Sequence, residues 1–510
     1  MPSKLMTPGV YIEEKNAFPS SAVAVETAVP VFIGYTETAE WNGKSLQNKP
    51  TRITSFAEYT ERFGGAFHAR FKLADPDPAI KQETFSLGGK QKIVTVNDKN
   101  TAYMFNSIRL FYANGGGPAY ILSIDTYKGK DELEIKQDDF GDSVFELLKK
   151  EFEPTLVVMP DAIALGDVCY KNIYTKVLQH CAFMQSRFGI FDLKQQVAGT
   201  DTNTVVTEFR EGIGMQSLNY GAAYYPWLNS GIVPPSEVSF ENLDASVDLN
   251  AILPEEEAKK VIAKFKPDLD KFAGKKEEEK TAEEKKEEEN VKRNYHQGLK
   301  ATSPTYTHIL EEVRAKLNEL PPSGAMAGLY TTVDNSRGVW KAPANVSVSA
   351  VNSPSVNVSH EGQETLNVDA ISGKSINVIR SFPGIGTLVW GGRTLDGNSQ
   401  DWRYINVRRT LIMIEQSLKL ATRAYVFEPN DANTWVTVKS MMVNFLTNLW
   451  KQGALAGSAP EQAFDVQVGL GATMTPTDIL DGKMLITVKV AIVRPAEFIV
   501  ITFQQKMQES

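Results

Sequence analysis

A multidomain α/β protein with α+β character in places is what this 510-residue sequence predicts, and three observations predict it. Short, continuous apolar runs alternate with helical patterns through most of the chain, which is the signature of parallel strands buried on both faces. Towards the C-terminus the pattern changes to two amphipathic helices with two strands, too few strands for a sheet that stands alone. Finally, both chain ends read as strands with no obvious partner.

Taken in order, the first end is residues 9–14 (GVYIEE), a short alternation in which Val10, Tyr11 and Ile12 are the apolar anchors. Residues 28–35 (AVPVFIGY) predict a buried strand, and 55–64 (SFAEYTERFG) a short helix opened by serine and closed by glycine. A helix over 103–114 stops at Gly115-Gly116-Gly117-Pro118 and leads directly into a strand at 119–124 (AYILSI). Residues 155–159 (TLVVM) predict another buried strand, followed by a helix through 168–187 and strands at 189–191 and 221–227.

Between residues 255 and 293 the composition shifts to 13 acidic and 12 basic side chains. Glu255/Lys259 and Glu256/Lys260 have the i,i+4 spacing that supports a helix. Apolar residues almost vanish after Phe272, so the expectation is a solvated outer insertion, helical or partly disordered. Residues 345–377 are rich in Ser, Val and Asn, and the alternation in NVSVSAVNS and PSVNVSH predicts short, half-exposed strands.

Beyond Asn406, the residues Leu411, Ile414, Leu418, Ala421 and Tyr425 recur at helical spacing, and Glu428-Pro429 ends that helix. A second helix opens after Asp431, which can cap it, and runs to Gly453. Strands follow at 464–468 and 485–493. The final run, EFIVITF, is apolar on both strand faces through Phe498, Ile499, Val500, Ile501 and Phe503. An unpaired strand of this kind is a template for pairing with another copy. The expected domains are an N-terminal arm (1–25), an outer α/β domain (26–154), a central α/β domain (155–375), a C-terminal domain (376–493) and a C-terminal arm (494–510).

The bulk properties exclude several function classes. A net charge of −8 argues against nucleic acid as a partner. No apolar run approaches the roughly 18 residues that span a bilayer, so direct membrane insertion is not expected. The opening MPSKLMTPGVYIEE has no apolar core of a secretory signal, so synthesis in the cytoplasm is expected. Two cysteines, Cys169 and Cys181, make no disulfide framework, and their spacing suggests buried thiols on one helix.

Motifs for chemistry stop short of completion. Gly373-Lys374-Ser375 resembles the tail of a phosphate loop, but Val368 stands where its first glycine belongs. Gly384 and Gly386 begin a dinucleotide-type pattern whose third glycine is replaced by Val389. His360-Glu361 lacks a second histidine, Glu364 standing in its place. The five histidines are scattered, the pair Asp138-Asp139 lies in a polar stretch, and no GxSxG elbow occurs. The expectation is therefore no catalytic residue, no cofactor and no metal: not an enzyme.

Several blocks together resemble contractile tail sheath proteins. They are TPGVYIEE (7–14), AVPVFIGYT (28–36), GGGPAYILSI (115–124), the run from 321 to 345, INVIRSFPGIGTLVWGGRTL (376–395), WRYINVRRTLIMIEQSL (402–418), WKQGALAGSAPEQAF (450–464) and VRPAEFIVITFQQKM (493–507). The resemblance implies a homo-oligomer of six-fold rings stacked helically around an inner tube protein, with baseplate and terminal cap proteins and sheath paralogues as further partners. It implies N- and C-terminal arms that complete a neighbour's small C-terminal sheet, and contraction that drives the tube through a target membrane. It also implies a bacterial cytoplasmic origin and a place in a phage tail or a tail-like particle, including tailocins and particles released outside the cell. The insertion at 255–293 departs from the shorter family members. The alternative from the residues alone is a metabolic α/β enzyme with a noncatalytic terminal extension.

Overall fold

Nine strands of the computed structural model share one sheet; residues 22–80, 84–96, 102–197, 199–272 and 280–501 are described. In chain order the strands are β1 (Pro30–Thr36), β2 (Thr51–Ile53), β3 (Ala119–Thr126), β4 (Leu156–Val158), β5 (Phe188–Asp192), β6 (Gly221–Tyr225), β7 (Val346–Ser347), β8 (Asn377–Phe382) and β9 (Gly386–Val389). Across the sheet they run β7-β9-β8-β6-β5-β4-β1-β3-β2. The six from β8 to β3 are mutually parallel, and the edges close with antiparallel neighbours. The parallel α/β core expected from the apolar runs is what forms. The segments expected as separate outer and central domains share this sheet, since β1 pairs with both β3 and β4.

The central strands β4, β5 and β6 are buried along their whole length, because helices cover the sheet. All seven residues of β1 are buried. Phe32 meets Phe111 edge-on at 5.3 Å, on the helix Met104–Ala113. That helix packs against Ser323–Arg337 through two glycines: a Cβ at Gly324 would fall 2.4 Å from the Ser107 carbonyl oxygen, and one at Gly328 2.4 Å from that of Phe111. Only glycine permits so close an approach. Local signals set the helix ends. Ser55 accepts from the Glu58 N–H at the start of Phe56–Phe63, and Gly64 closes it at φ 82°.

The described residues form two compact units, 26–409 with 494–501 and 22–25 with 410–493. The helix Ile405–Thr422 carries the chain from one to the other. In the second unit, Ala432–Lys451 is capped by Asp431, which accepts from the Thr434 N–H. Val438, Met441, Met442, Phe445, Leu446 and Leu449 line its buried face. Strands β10 (Phe464–Val468) and β11 (Ile486–Val490) pair antiparallel, with Val466 opposite Val488, and make a sheet of only two strands among the described residues.

Two expectations are corrected. The stretch PSVNVSH is not a strand beyond Pro354: Ser359 caps a helix, His360–Asn367, accepting from the Gly362 N–H. A serine that can cap overrides a weak two-residue alternation. The charged insertion is a pair of packed helices, Glu256–Asp270 and Ala282–Thr302, and it is not wholly solvated. Ala258, Ile262, Tyr295 and Leu299 are buried, Phe240 meets Tyr295 at 4.8 Å, and Glu288 is buried in an ion pair with Lys280 at 2.5 Å. Residues 497–501, expected to lack a partner in their own chain, pair with no strand among the described residues.

Candidate assembly interface

Several residues of the incomplete motifs have structural partners. Among the described residues no cluster of three His, Cys, Asp or Glu could hold a metal ion, and no helix is long and apolar enough to cross a membrane. Cys169 and Cys181 are buried free thiols, and burial pushes Cys181 up to about 12. Lys374 is buried and donates to the Arg210 carbonyl oxygen, while the Ser375 hydroxyl donates to that of Asn367 at 2.6 Å. Gly384 and Gly386 form the turn of the β8–β9 hairpin at φ 76° and 105°. His360 and Glu361 open a helix, and Asp139 accepts from the Tyr35 hydroxyl at 2.5 Å.

Two fully buried carboxylates have the raised pKa that marks many active sites. Burial pushes Asp161 up to about 6 and Asp192 to about 7, against backbone and hydroxyl donors that oppose the shift. Their partners explain them. Asp161 accepts from the N–H groups of Tyr35 (2.8 Å), Tyr103 (2.6 Å) and Met104 (3.0 Å). Asp192 accepts from the Ser323 N–H at 2.7 Å and hydroxyl at 2.5 Å. Each ties the N-terminus of a long helix to the end of the sheet, where the helix donors would otherwise be orphaned. These are fastenings, and the sequence carried no local signal for either.

The terminal residues present a different chemistry. Phe498, Ile499, Val500 and Ile501 are 71%, 79%, 89% and 71% exposed, a contiguous apolar run with no cover among the described residues. Val10, Tyr11, Ile12 and Phe503, singled out with them, lie outside the described residues. Directly before Phe498, Glu497 is held firmly. Arg393 Nε donates to Oε1 at 2.9 Å and Oε2 at 3.1 Å, and Nη2 donates to Oε2 at 2.6 Å. Asn367 Nδ2 adds a bond at 2.8 Å and the Tyr404 hydroxyl one at 3.2 Å. Burial alone would raise the Glu497 carboxyl, but the bonds from Arg393 and Asn367 prevail and hold it below the usual glutamate range.

Sequence reasoning missed this clasp, because Arg393 and Glu497 are 104 residues apart and neither belongs to a motif. The one available signal was a lone carboxylate opening an otherwise apolar run. In the second unit, β10 and β11 leave backbone donors and acceptors unpaired on their outer edges among the described residues. An exposed apolar segment and an open sheet edge are groups that can exchange backbone hydrogen bonds with another chain.

Comparison with known proteins bears on which molecules do this. Residues 398–506 match the phage tail sheath C-terminal domain family. The tail sheath protein of Vibrio phage KVP40 is 25% identical over 202 residues, covering 39% of this chain and 28% of the phage protein. The chain thus matches less than a third of that relative's length. Solved structures match almost end to end. The sheath complex of the extracellular contractile injection system PVC, in its contracted state, has a TM-score of 0.59 at 27% identity over 98% of both chains. The contracted helical sheath of the anti-feeding prophage has a TM-score of 0.60 at 29% identity, over 98% of this chain and 99% of that one.

Proposed function

Because this chain is a member of the contractile tail sheath family, we propose that it is the structural protomer of a contractile sheath, polymerising as stacked six-fold rings around an inner tube. The observation that carries the reading is that one chain presents both an exposed apolar segment, Phe498 to Ile501, and a two-stranded sheet with open edges. A chain that offers a strand and lacks one is complementary to its own copies, and repetition of that contact builds an array. The segments 1–25 and 494–510 act as the lent arms.

Energetics support the arrangement. Each backbone bond formed by a lent strand contributes about 1 kcal/mol net. Covering Phe498 and Val500 adds roughly 1.5–3 kcal/mol apiece. Such links survive while subunits rearrange as rigid bodies, and a few kcal/mol per subunit, multiplied along the array, drives the tube through a target membrane. An inner tube protein, a baseplate and a terminal cap are the partners this role requires. No step in it needs a catalytic residue. Electron microscopy of the purified protein tests the reading: hollow or striated cylinders are expected, and small compact oligomers would favour an α/β enzyme instead.

A further inference from the structure

The lent strand carries little information about its own register. Side chains alternate along a strand, so Phe498 and Val500 share one face and Ile499 and Ile501 the other. Both faces are apolar, and a slip of one residue exchanges one apolar set for the other at little cost. Register is well specified only where the two faces differ. A helical array, however, needs the same register at every link, because a slip displaces one subunit against the next by a strand residue, about 3.3 Å.

The chain supplies a fixed point at the start of this segment. Glu497 accepts from Arg393, Asn367 and Tyr404 in the clasp described above. Arg393 is 3% exposed and is itself bolted to the main sheet. Its N–H donates to Asn377 Oδ1 at 2.8 Å, and its carbonyl oxygen accepts from Asn377 Nδ2 at 2.8 Å. Asn377 opens β8, and its Nδ2 also donates to the Ala223 carbonyl oxygen in β6 at 3.2 Å. A continuous path of hydrogen bonds thus joins Glu497 to two central strands. No residue lies between Glu497 and Phe498, so the exposed segment leaves from that point without slack.

We infer that the Arg393–Glu497 clasp sets the register of the lent strand, measuring it from the protomer's own sheet. This rests on the proposal that residues 498–501 pair with a second copy. Glu497 and Arg393 are positioning residues, acting through the strand that follows them.

The test uses the full chain with a cysteine replacing Val500 and a second cysteine at successive positions of β10 or β11, scored by disulfide formation between subunits. The native cysteines are buried and do not compete. One dominant partner position is expected in the otherwise unaltered chain. Inserting a single alanine between Glu497 and Phe498 should then move that partner by one residue, because the clasp stays put. An unchanged partner overturns the inference, since the acceptor sheet would then be setting the register. Arg393→Met combined with Glu497→Ala, which removes the ion pair without stranding a buried charge, should spread cross-linking over adjacent positions. A single unchanged partner in that variant, with circular dichroism showing the native fold, also overturns it. If the unaltered chain gives neither cross-links nor cylinders, the assembly reading itself fails, and the two failures are distinguishable.

Discussion

Arg409 and Asp334 face each other in a buried, bidentate ion pair, with Nη1 donating to Oδ1 at 2.9 Å and Nη2 to Oδ2 at 2.5 Å, each side chain 3% exposed. Arg409 also donates to the Thr27 carbonyl oxygen at 2.9 Å, and the Thr27 hydroxyl donates to Asp334 at 2.6 Å. The guanidinium lies 4.5 Å from the centre of the Tyr330 ring. The segment leading into β1 is therefore fastened by a buried arginine–carboxylate pair, as the segment after residue 496 is by Arg393 and Glu497.

Removing one partner of such a pair leaves a buried charge without compensation, at a cost of about 3–5 kcal/mol. Asp334→Asn should destabilise the α/β unit by that order, read as a shift of the denaturant midpoint. A variant within 0.5 kcal/mol of the parent, roughly the scatter of surface substitutions, would mean the pair contributes nothing net.

Truncation after Glu497 keeps the clasp and deletes Phe498, Ile499, Val500 and Ile501. Since these side chains touch nothing that buries them in the isolated chain, the protomer should keep its circular dichroism spectrum and melting temperature. Cylinders should be absent by sedimentation and microscopy. If the truncated monomer unfolds, the segment was pairing inside its own fold. Normal cylinders would place the link elsewhere.

Deleting residues 275–289 removes the Thr281–Glu284 capping box and the buried Glu288. Local stability of the Ala282–Thr302 helix should fall, while Tyr295 and Leu299, which lie beyond the deletion, still hold its base. Cylinder formation should persist, because the deleted residues are mostly charged and, of those described, 280–289, most are exposed. Loss of cylinders would identify the helical pair as a docking element.

His180 supplies a pH test. Arginine can only donate, so the 2.7 Å contact from Arg187 makes His180 Nε2 an acceptor and places the ring proton on Nδ1. Burial, then the charges of Arg187 and Lys149, press its pKa from 6.5 to about 3. The folded protein thus binds this proton less readily than the unfolded chain does. The resulting stability is fully present above pH 6.5 and is lost progressively as pH falls towards 3. Asp161 and Asp192, with raised values, pull in the opposite direction over part of that range, so the comparison must be made against a variant. The stability of His180→Gln relative to the parent should improve steadily between pH 6.5 and 4. A constant difference would show that the histidine does not titrate on unfolding.

Much of the fold was legible because its signals are local. PVFIGYT reads as a covered strand from its own composition, and Ser55, Gly64 and Asp431 mark helix ends through bonds to residues three or four positions away. Backbone propensity and capping act within a turn, so one stretch of sequence contains both cause and effect. The helix His360–Asn367 escaped because the serine–valine alternation before it is also local and points the other way.

What the sequence by itself determined, then, is the type and extent of most elements, the parallel α/β class and the presence of an apolar end that needs cover. Only the tertiary structure decided the rest: that strands from three expected domains share one sheet, that Asp161 and Asp192 fasten helices, and that Arg393 holds Glu497 from 104 residues away. Those outcomes depend on burial, which turns an ordinary carboxylate or guanidinium into a group that must find a partner. Which partner it finds is set by the distant segments that folding brings beside it.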